Sequence, residues 1–423
     1  MTYPLPGMRG VRAPSAKGVV VNCPACGAIN PRAFFQLPGV PVDSCRLVAN
    51  REEAKSFPRG DLHLALCEHC GFIWNMAFDP SVQNYSAVFE ETQWFSPRFR
   101  AFGSALVKHL IETYDLRGKD VLEIGCGPGH FLSLLCENGG NRGIGLDPHY
   151  REENTPGRLK QHQVRIIGEY FSEQHAPLIG DLIVCRHTLE HIQPVGELLR
   201  LVHRSIGERS GTVLFFEVPD MLTILQGVAF WQLYYEHCSY LTAGSLARLF
   251  RATGFEVFDV RQALEGQVVL IEGRRASHGA NDAPCEAEET VEEVCSAVDR
   301  FVDTLEGRLS FWRKTFGQSG RFQQRIVLWG GASQSVAFTL ALGVEDQIEY
   351  IVNINPHQHG KYAVGTGQQI IAPEFLREYR PDLVVVMNPL YREEISRSLD
   401  RLGVHAELVT ASGSQVSGPV CIT

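Results

Sequence analysis

The sequence predicts an α/β chain with a doubly wound, Rossmann-like middle domain, a small N-terminal domain and a second Rossmann-like domain at the C-terminus. Three observations carry this reading. Residues Val121–His130 read VLEIGCGPGH, a short apolar strand running into a glycine turn. Two Cys-x-x-Cys-Gly knuckles stand ahead of it, Cys23 with Cys26 and Cys67 with Cys70. A second apolar strand with paired glycines, RIVLWGG, ends at Gly331.

At 423 residues the chain exceeds one ordinary core, so two or three domains are expected. Its 44% hydrophobic and 21% charged content are those of a soluble globular protein. No apolar run is long enough to span a bilayer, and the opening MTYPLPGMRG lacks the apolar core of a secretion signal. A cytoplasmic chain without a membrane partner is therefore expected. The net charge of −9 argues against a nucleic-acid partner, which would require clustered Lys and Arg. Assembly is left between a monomer and a homodimer.

The N-terminal domain, residues 1–84, is read from its knuckles. The glycine after each pair lets the turn fold back, so that two sulfurs from each knuckle face one ion. Four thiolates from Cys23, Cys26, Cys67 and Cys70 close a tetrahedron and leave no position for water, the pattern of a structural Zn2+ site. A redox Cys-x-x-Cys is the rival reading. His69, inside the second knuckle, is read as a spectator. Cys45, Cys126, Cys136, Cys185, Cys238, Cys285, Cys295 and Cys421 show no pairing pattern and are read as small core or loop residues.

The middle domain, residues 85–276, opens with a helical pattern from about Tyr85 to Glu112, where Phe99, Phe102, Leu106, Leu110 and Ile111 recur at helical spacing. VLEIG, NRGIGLD, DLIVCR and TVLFFEV then read as strands, followed by the helix GSLARLFRATGF and the strands FEVFDV and QVVLIEG. Gly125, Gly127 and Gly129 remove side chains that would block a ligand from the backbone. Asp147 closes the next strand, where a carboxylate can accept both ribose hydroxyls of an adenosine.

Residues 277–320 read as a polar linker and a connecting amphipathic helix, about Glu286 to Phe316. Val291, Val294, Val298, Phe301, Val302, Leu305 and Leu309 are expected on its apolar face. Residues 321–423 repeat a βα pattern through RIVLWGGASQS, IEYIVNINP and PDLVVVMNP. Asn353 stands where a dinucleotide site would place an acid on ribose, so no nicotinamide cofactor is expected there. The loop amides remain suited to a phosphate.

Two segments beyond the sheet carry polar chemistry. FWQLYYEHCSYLT places Tyr234, Tyr235, Glu236 and His237 together, the makings of a base and its hydrogen-bond partners, with a core histidine packed beside aromatics as the alternative. CRHTLEHI follows the strand DLIV at the ligand edge of the sheet. If it is helical, His187 and His191 lie one turn apart, and a helix-start polar pair is the bland reading of Glu190 and His191.

The order of the two knuckles, EIGCGPGHFL, LEHI, EVPD, YYEHCSY and the late INPHQHGKYAVGTGQ with MNP resembles the deoxysugar C-methyltransferases, which act on nucleotide-linked 4-keto sugars. The likeness spans nearly the whole chain. It implies an S-adenosylmethionine site made by Glu123, Gly125, Gly127, Gly129, Asp147, Pro148, Glu169, Tyr170, Arg186 and His187. It also implies that His237 is the general base, that Glu236 is its hydrogen-bonding or substrate-holding partner, and that Tyr234, with Tyr235 second, takes the family's tyrosine place. His191 corresponds to the family's other active-site histidine, and Tyr85 lies where the family supplies a tyrosine from the zinc-domain side. The implied partner is a small-molecule substrate, a nucleotide-linked keto sugar, held in part by Gly330–Ser333 and the run His357–Lys361, with Lys361 or His359 at the pyrophosphate. GGASQS and GTGQQI depart from the family's usual text there. A methyltransferase acting on carbon, oxygen or nitrogen of a non-sugar molecule, and a zinc-bearing adaptor, are the remaining readings.

Overall fold

The structure is a computed structural model that describes residues 22–82, 93–150, 164–277, 283–319 and 324–413. Tyr85, Cys421 and the expected domain boundaries at 84/85 and 320/321 lie outside the described residues.

The N-terminal part contains β1 (Arg32–Pro41), β2 (Leu47–Val48), β3 (Arg59–Leu66) and β4 (Ile73–Asn75). β1, β3 and β4 pair antiparallel, and the fourth strand of their sheet is Ser239–Tyr240 from far along the chain. β2 leaves this sheet altogether and pairs with Tyr362–Ala363 at the edge of the C-terminal sheet. The N-terminal part is thus stitched by backbone hydrogen bonds to both halves of the molecule.

The middle domain follows with β5 (Asp120–Ile124), β6 (Arg142–Leu146), β7 (Val164–Ile167), β8 (Leu182–Arg186), β9 (Val213–Pro219), the short β10 already met at Ser239–Tyr240, β11 (Phe255–Ala263) and β12 (Val268–Arg275). The sheet order is β11-β12-β9-β8-β5-β6-β7, parallel from β9 to β7, with β12 and β11 antiparallel at the other edge. The order reverses at β5, flanked by β6 and β8, so the carboxyl ends of these strands open a crevice. The helix before β5 runs Pro97–Tyr114. It begins there because Ser96 caps it by accepting the Arg98 and Phe99 N–H groups and proline suits the first turn. Phe99, Leu106, Leu110 and Ile111 are buried as their spacing predicts, with Phe102 partly so. β7 escaped the sequence reading, since VRII is short and half-buried.

The helix Val291–Ser319 agrees with the expected amphipathic segment. Its buried face holds Val294, Ala297, Val298, Phe301, Leu309, Trp312 and Phe316, whereas Val302, expected on that face, is 36% exposed. The helical period carries Val302 one residue past Phe301 and out of the contact stripe. Phe301 meets Phe34 and Phe35 of β1, and Trp312 meets Phe338 of the C-terminal part, so one core joins the segment to both neighbours.

The C-terminal sheet comprises β13 (Ile326–Trp329), β14 (Tyr350–Val352), β15 (Tyr362–Ala363), β16 (Gln369–Ile371), β17 (Leu383–Val386) and β18 (Glu407–Thr410), in the order β18-β17-β13-β14-β16-β15-β2. Its central parallel strands, β13 and β17, are fully buried apolar runs, the mark of a sheet covered on both faces. Among the described residues no helix is long and apolar enough to cross a membrane.

Candidate active site

A cleft of about 1600 Å³ runs along the carboxyl ends of β5, β6 and β8 and is lined by residues from all three parts of the chain. At its donor end, β5 gives way to Gly125 at φ +71°, where any Cβ would collide with the Thr188 hydroxyl. Gly127, at φ +52°, has nothing within 4 Å of where a Cβ would stand, which leaves its backbone open to a ligand. Gly129 caps the helix His130–Gly139 in the left-handed conformation. The Gly127 N–H donates to Asp147 Oδ2 and the His149 N–H to Asp147 Oδ1, each at 2.8 Å. Burial would raise the Asp147 pKa, but the hydrogen bonds from His149 and Gly127 outweigh it and hold the carboxyl below its usual range. A carboxylate is thereby presented at the strand end, as a ribose partner requires.

Pro148, Glu169 and Tyr170 line the same end, Tyr170 at 67% exposure, and Glu123 forms its buried floor. Glu169 Oε2 accepts from Gln174 at 2.7 Å. Arg186 and His187 also line the cleft, yet both are engaged with Glu217. The Arg186 guanidinium donates to both Glu217 oxygens, at 2.7 and 3.1 Å, and lies 4.2 Å from the Phe131 ring centre. His187 Nε2 is 2.8 Å from Glu217 Oε1 and its Nδ1 is 3.6 Å from Glu190 Oε1. Burial works against the imidazolium, but these two carboxylates push the His187 pKa up to about 10.

The segment after β8 is not a helix. His187 sits at φ +48° and only Leu189–His191 forms a single 3-10 turn, so His187 and His191 both reach the cleft. The facing loop is folded on itself: Tyr234 N–H donates to the Tyr240 hydroxyl at 3.2 Å, and that hydroxyl donates to Tyr234 O at 2.9 Å. Asn75 N–H donates to Cys238 O at 3.0 Å and Ser239 Oγ donates to Ile192 O at 2.8 Å, pinning this loop to β4 and to the His191 turn.

As a result His191 and His237 stand edge to face with ring centres 4.8 Å apart, and Tyr234 meets His237 at 4.9 Å. His191 Nδ1 is 3.0 Å from the Glu236 carbonyl, which can only accept, so Nδ1 carries the hydrogen. Burial, reinforced by His191, pushes the His237 pKa down to about 3 and keeps its ring neutral. Burial places the Tyr234 hydroxyl well above its ordinary pKa, and Gln334 is its hydrogen-bond partner. The two tyrosines differ in position: Tyr234 lines the cleft, whereas the Tyr235 hydroxyl accepts from Asp79 N–H at 2.8 Å and lies outside it.

Glu236 is fully buried, and Ser44 of the N-terminal part donates to its Oε1 through both the backbone N–H, at 3.1 Å, and the hydroxyl. Oε2 is buried without a hydrogen-bond partner. Burial and then Asp43 raise the Glu236 pKa to about 7. The loop that supplies Asp43, Cys45 and Arg46 to the cleft wall was missed from sequence, since PVDSCR shows only turn residues. Cys45, read as a core or loop residue, lies 3.0 Å from Ser333 Oγ across the cleft.

From the C-terminal part, Gly330–Ser333, Asn353 and Gln358 line the cleft, while His357, His359 and Lys361 do not. Asn353 donates to Gly330 O at 3.3 Å and to Gln358 Oε1 at 2.8 Å, and so closes the glycine turn.

The four knuckle cysteines converge with all sulfurs within 4.8 Å of one another. The close pairs run between knuckles, Cys23 to Cys70 at 3.7 Å and Cys26 to Cys67 at 3.6 Å, and all four are free of disulfides. Redox pairing would join sulfurs at ~2 Å, whereas a tetrahedron of ~2.3 Å metal–sulfur bonds has edges of ~3.8 Å. Gly27 and Gly71, at φ +79° and +75°, turn each knuckle back. His69 takes no part in the cluster.

A family model described as a methyltransferase domain matches residues 94–260, and one described as a C-methyltransferase C-terminal domain matches residues 286–409. The C-methyltransferase NovU of Streptomyces niveus is 24% identical over 315 residues, which cover 69% of this chain and 73% of that protein. A solved 1,6-didemethyltoxoflavin-N1-methyltransferase of Burkholderia thailandensis aligns with a TM-score of 0.33 and 16% identity, covering 45% of this chain and 93% of the other. Magnesium protoporphyrin IX methyltransferase of Synechocystis PCC 6803 aligns with a TM-score of 0.33 and 17% identity, covering 42% and 84%. The donor crevice lies within the first of the two matched segments and the glycine turn opposite it within the second: the chain is an S-adenosylmethionine-dependent methyltransferase that joins a methyltransferase domain to a C-methyltransferase C-terminal domain.

Proposed function

We propose that the protein methylates the carbon next to the ketone of a nucleotide-linked keto-deoxysugar, with His237 as the base. The observation that carries this reading is the meeting of a neutral, half-buried His237 with His191, Tyr234 and Glu236 in the same cleft as Asp147 and Gly127. The C-methyltransferase domain over residues 286–409 and the name of the Streptomyces niveus relative support carbon as the acceptor.

A proton next to a ketone is weakly acidic, and its loss leaves an enolate that needs a donor at the ketone oxygen. His237 keeps its lone pair at neutral pH and takes that proton. A histidine held this far down is a weak base, so hydrogen bonds to the enolate oxygen must supply much of the driving force. Tyr234 and protonated Glu236 are the donors available. When bound, S-adenosylmethionine supplies an electrophilic methyl group on a sulfonium. Asp147 holds its ribose, the Gly127 backbone leaves it room, and Glu123, Gly125, Gly129, Pro148, Glu169 and Tyr170 shape the remaining wall. Arg186 and His187 brace that wall through Glu217. Cys23, Cys26, Cys67 and Cys70 would hold Zn2+, and four thiolates would leave no position to substrate while cross-linking the N-terminal part.

A non-sugar acceptor is the second reading, favoured by the position of His359 and Lys361 away from the cleft. Arg46, Arg397 and Arg401 line it and supply the cations that a pyrophosphate needs. Incubation with labelled donor and a panel of nucleotide-linked keto-deoxysugars in deuterated water, followed by mass spectrometry, tests the proposal. A product heavier by one methyl group, with deuterium next to the ketone, is expected. Donor binding with neither change across the panel would move the second reading to first place.

A further inference from the structure

Apart from the four cysteines, one other group of side chains among the described residues is arranged to hold a metal ion: Glu190, His191 and His237, whose ligand atoms all lie within 4.8 Å of one another. We propose that this trio is an exchangeable site for a divalent first-row cation such as Zn2+ or Ni2+, and that filling it stops turnover by occupying the lone pair of His237. The inhibitory half of this proposal rests on the assignment of His237 as the base.

Three features support binding. Glu190 is 3% exposed; one carboxylate oxygen is 3.6 Å from His187, and the other, Oε2, is buried without a hydrogen-bond partner. A buried, unpaired carboxylate oxygen is costly unless something takes it up, and a cation does so. His191 has its Nδ1 hydrogen on the Glu236 carbonyl, the arrangement by which metal-binding histidines fix the ring and free the other nitrogen. Two imidazoles and a carboxylate form a borderline nitrogen and oxygen set, suited to Zn2+, Ni2+ or Co2+ rather than to Mg2+ or Ca2+.

The two metal sites differ in kind. The four thiolates enclose their ion, whereas the trio opens onto the cleft, where its remaining positions would be filled by water or by an acceptor's oxygens. A cation there competes with the acceptor for the same floor, and exchange with free metal follows from the incomplete shell.

The test adds Ni2+ to the zinc-loaded enzyme and measures bound metal after equilibrium dialysis, with turnover followed in parallel. One Ni2+ per chain beyond the zinc is expected, with turnover falling as occupancy rises and returning when free Ni2+ is dialysed away. Glu190→Gln and His191→Ala should each weaken Ni2+ binding at least ~10-fold while the zinc content stays the same. Circular dichroism establishes that both variants are folded. Absence of Ni2+ beyond the zinc, or Ni2+ binding indifferent to both substitutions, overturns the site. If Ni2+ fails to bind while His237→Ala is inactive, the site falls and the base assignment stands. If Ni2+ binds through these residues and turnover is unchanged, the inhibitory half falls, and the base assignment with it.

Discussion

Ser44 donates its backbone N–H and its hydroxyl to the same oxygen of Glu236, from a different part of the chain, and leaves the other oxygen buried and unpaired. The N-terminal part is therefore a wall of the cleft as well as the carrier of the four-cysteine cluster. β2, directly after this loop, pairs with the C-terminal sheet, and β4 pairs with the strand that follows His237.

The pH dependence of kcat/KM should report this contact. Glu236 stands at about 7 because burial and Asp43 raise it against the lowering effect of Ser44. Activity that needs its protonated form falls as pH rises through that value. Ser44→Ala should move the limb upward and Asp43→Asn should move it downward. A limb that stays in place in both variants would detach Glu236 from the rate.

Donor binding should depend first on Asp147. Asp147→Ala removes the acceptor of the Gly127 and His149 N–H groups as well as the ribose partner. Calorimetry with S-adenosylhomocysteine should show affinity reduced ~10–100-fold, the loss of one or two charge-assisted hydrogen bonds. Equal affinity would contradict the proposed donor site.

Metal analysis should find one zinc per chain in the knuckles. Cys67→Ser should lose it and lower the melting temperature by roughly 5 °C or more. Because Ile73 and Trp74 of β4 pair with Tyr240 and Ser239, acceptor turnover should suffer more than donor affinity. A variant that loses zinc yet keeps stability and turnover would rule out the structural role.

Stability should fall on the alkaline side through His187. Its folded pKa is raised to about 10 by Glu217 and Glu190, against the pull of burial. A raised folded pKa contributes stability that is complete below the unfolded value of ~6.5 and is lost as pH rises towards 10. Thermal melts from pH 7 to 10 should decline for the wild type and be flatter for His187→Gln, the loss being about 1–3 kcal/mol. Parallel curves would show that the ion pair contributes nothing.

Sequence carried most of the middle sheet, because β5, β6, β8 and β9 are apolar runs bounded by glycine or a charge, whereas β7 is short and half-buried, and Gly125 and Asp147 sit where strand ends place them. It also brought out two segments that meet in the cleft, YYEH and LEHI. What stayed hidden came from long-range pairing. Ser44, Asp43 and Cys45 lie in a turn without a period, and only the crossing of β2 to the C-terminal sheet carries them to Glu236. His187 reads as helical because RHTLEHI has helical spacing, yet Glu217 holds it in a left-handed turn. The offset of Val302 and the retreat of Lys361 from the cleft are likewise settled by packing, which one sequence does not record.

The most direct measurement uses donor carrying a 13C-methyl group with nucleotide-linked keto-deoxysugars and reads the product by NMR, with His237→Ala alongside. The methyl group should appear bonded to the carbon next to the ketone, and the variant should lose at least ~100-fold in turnover while still binding S-adenosylhomocysteine. A methyl group on oxygen or nitrogen, or near-normal turnover in the variant, would contradict carbon methylation by a His237 base.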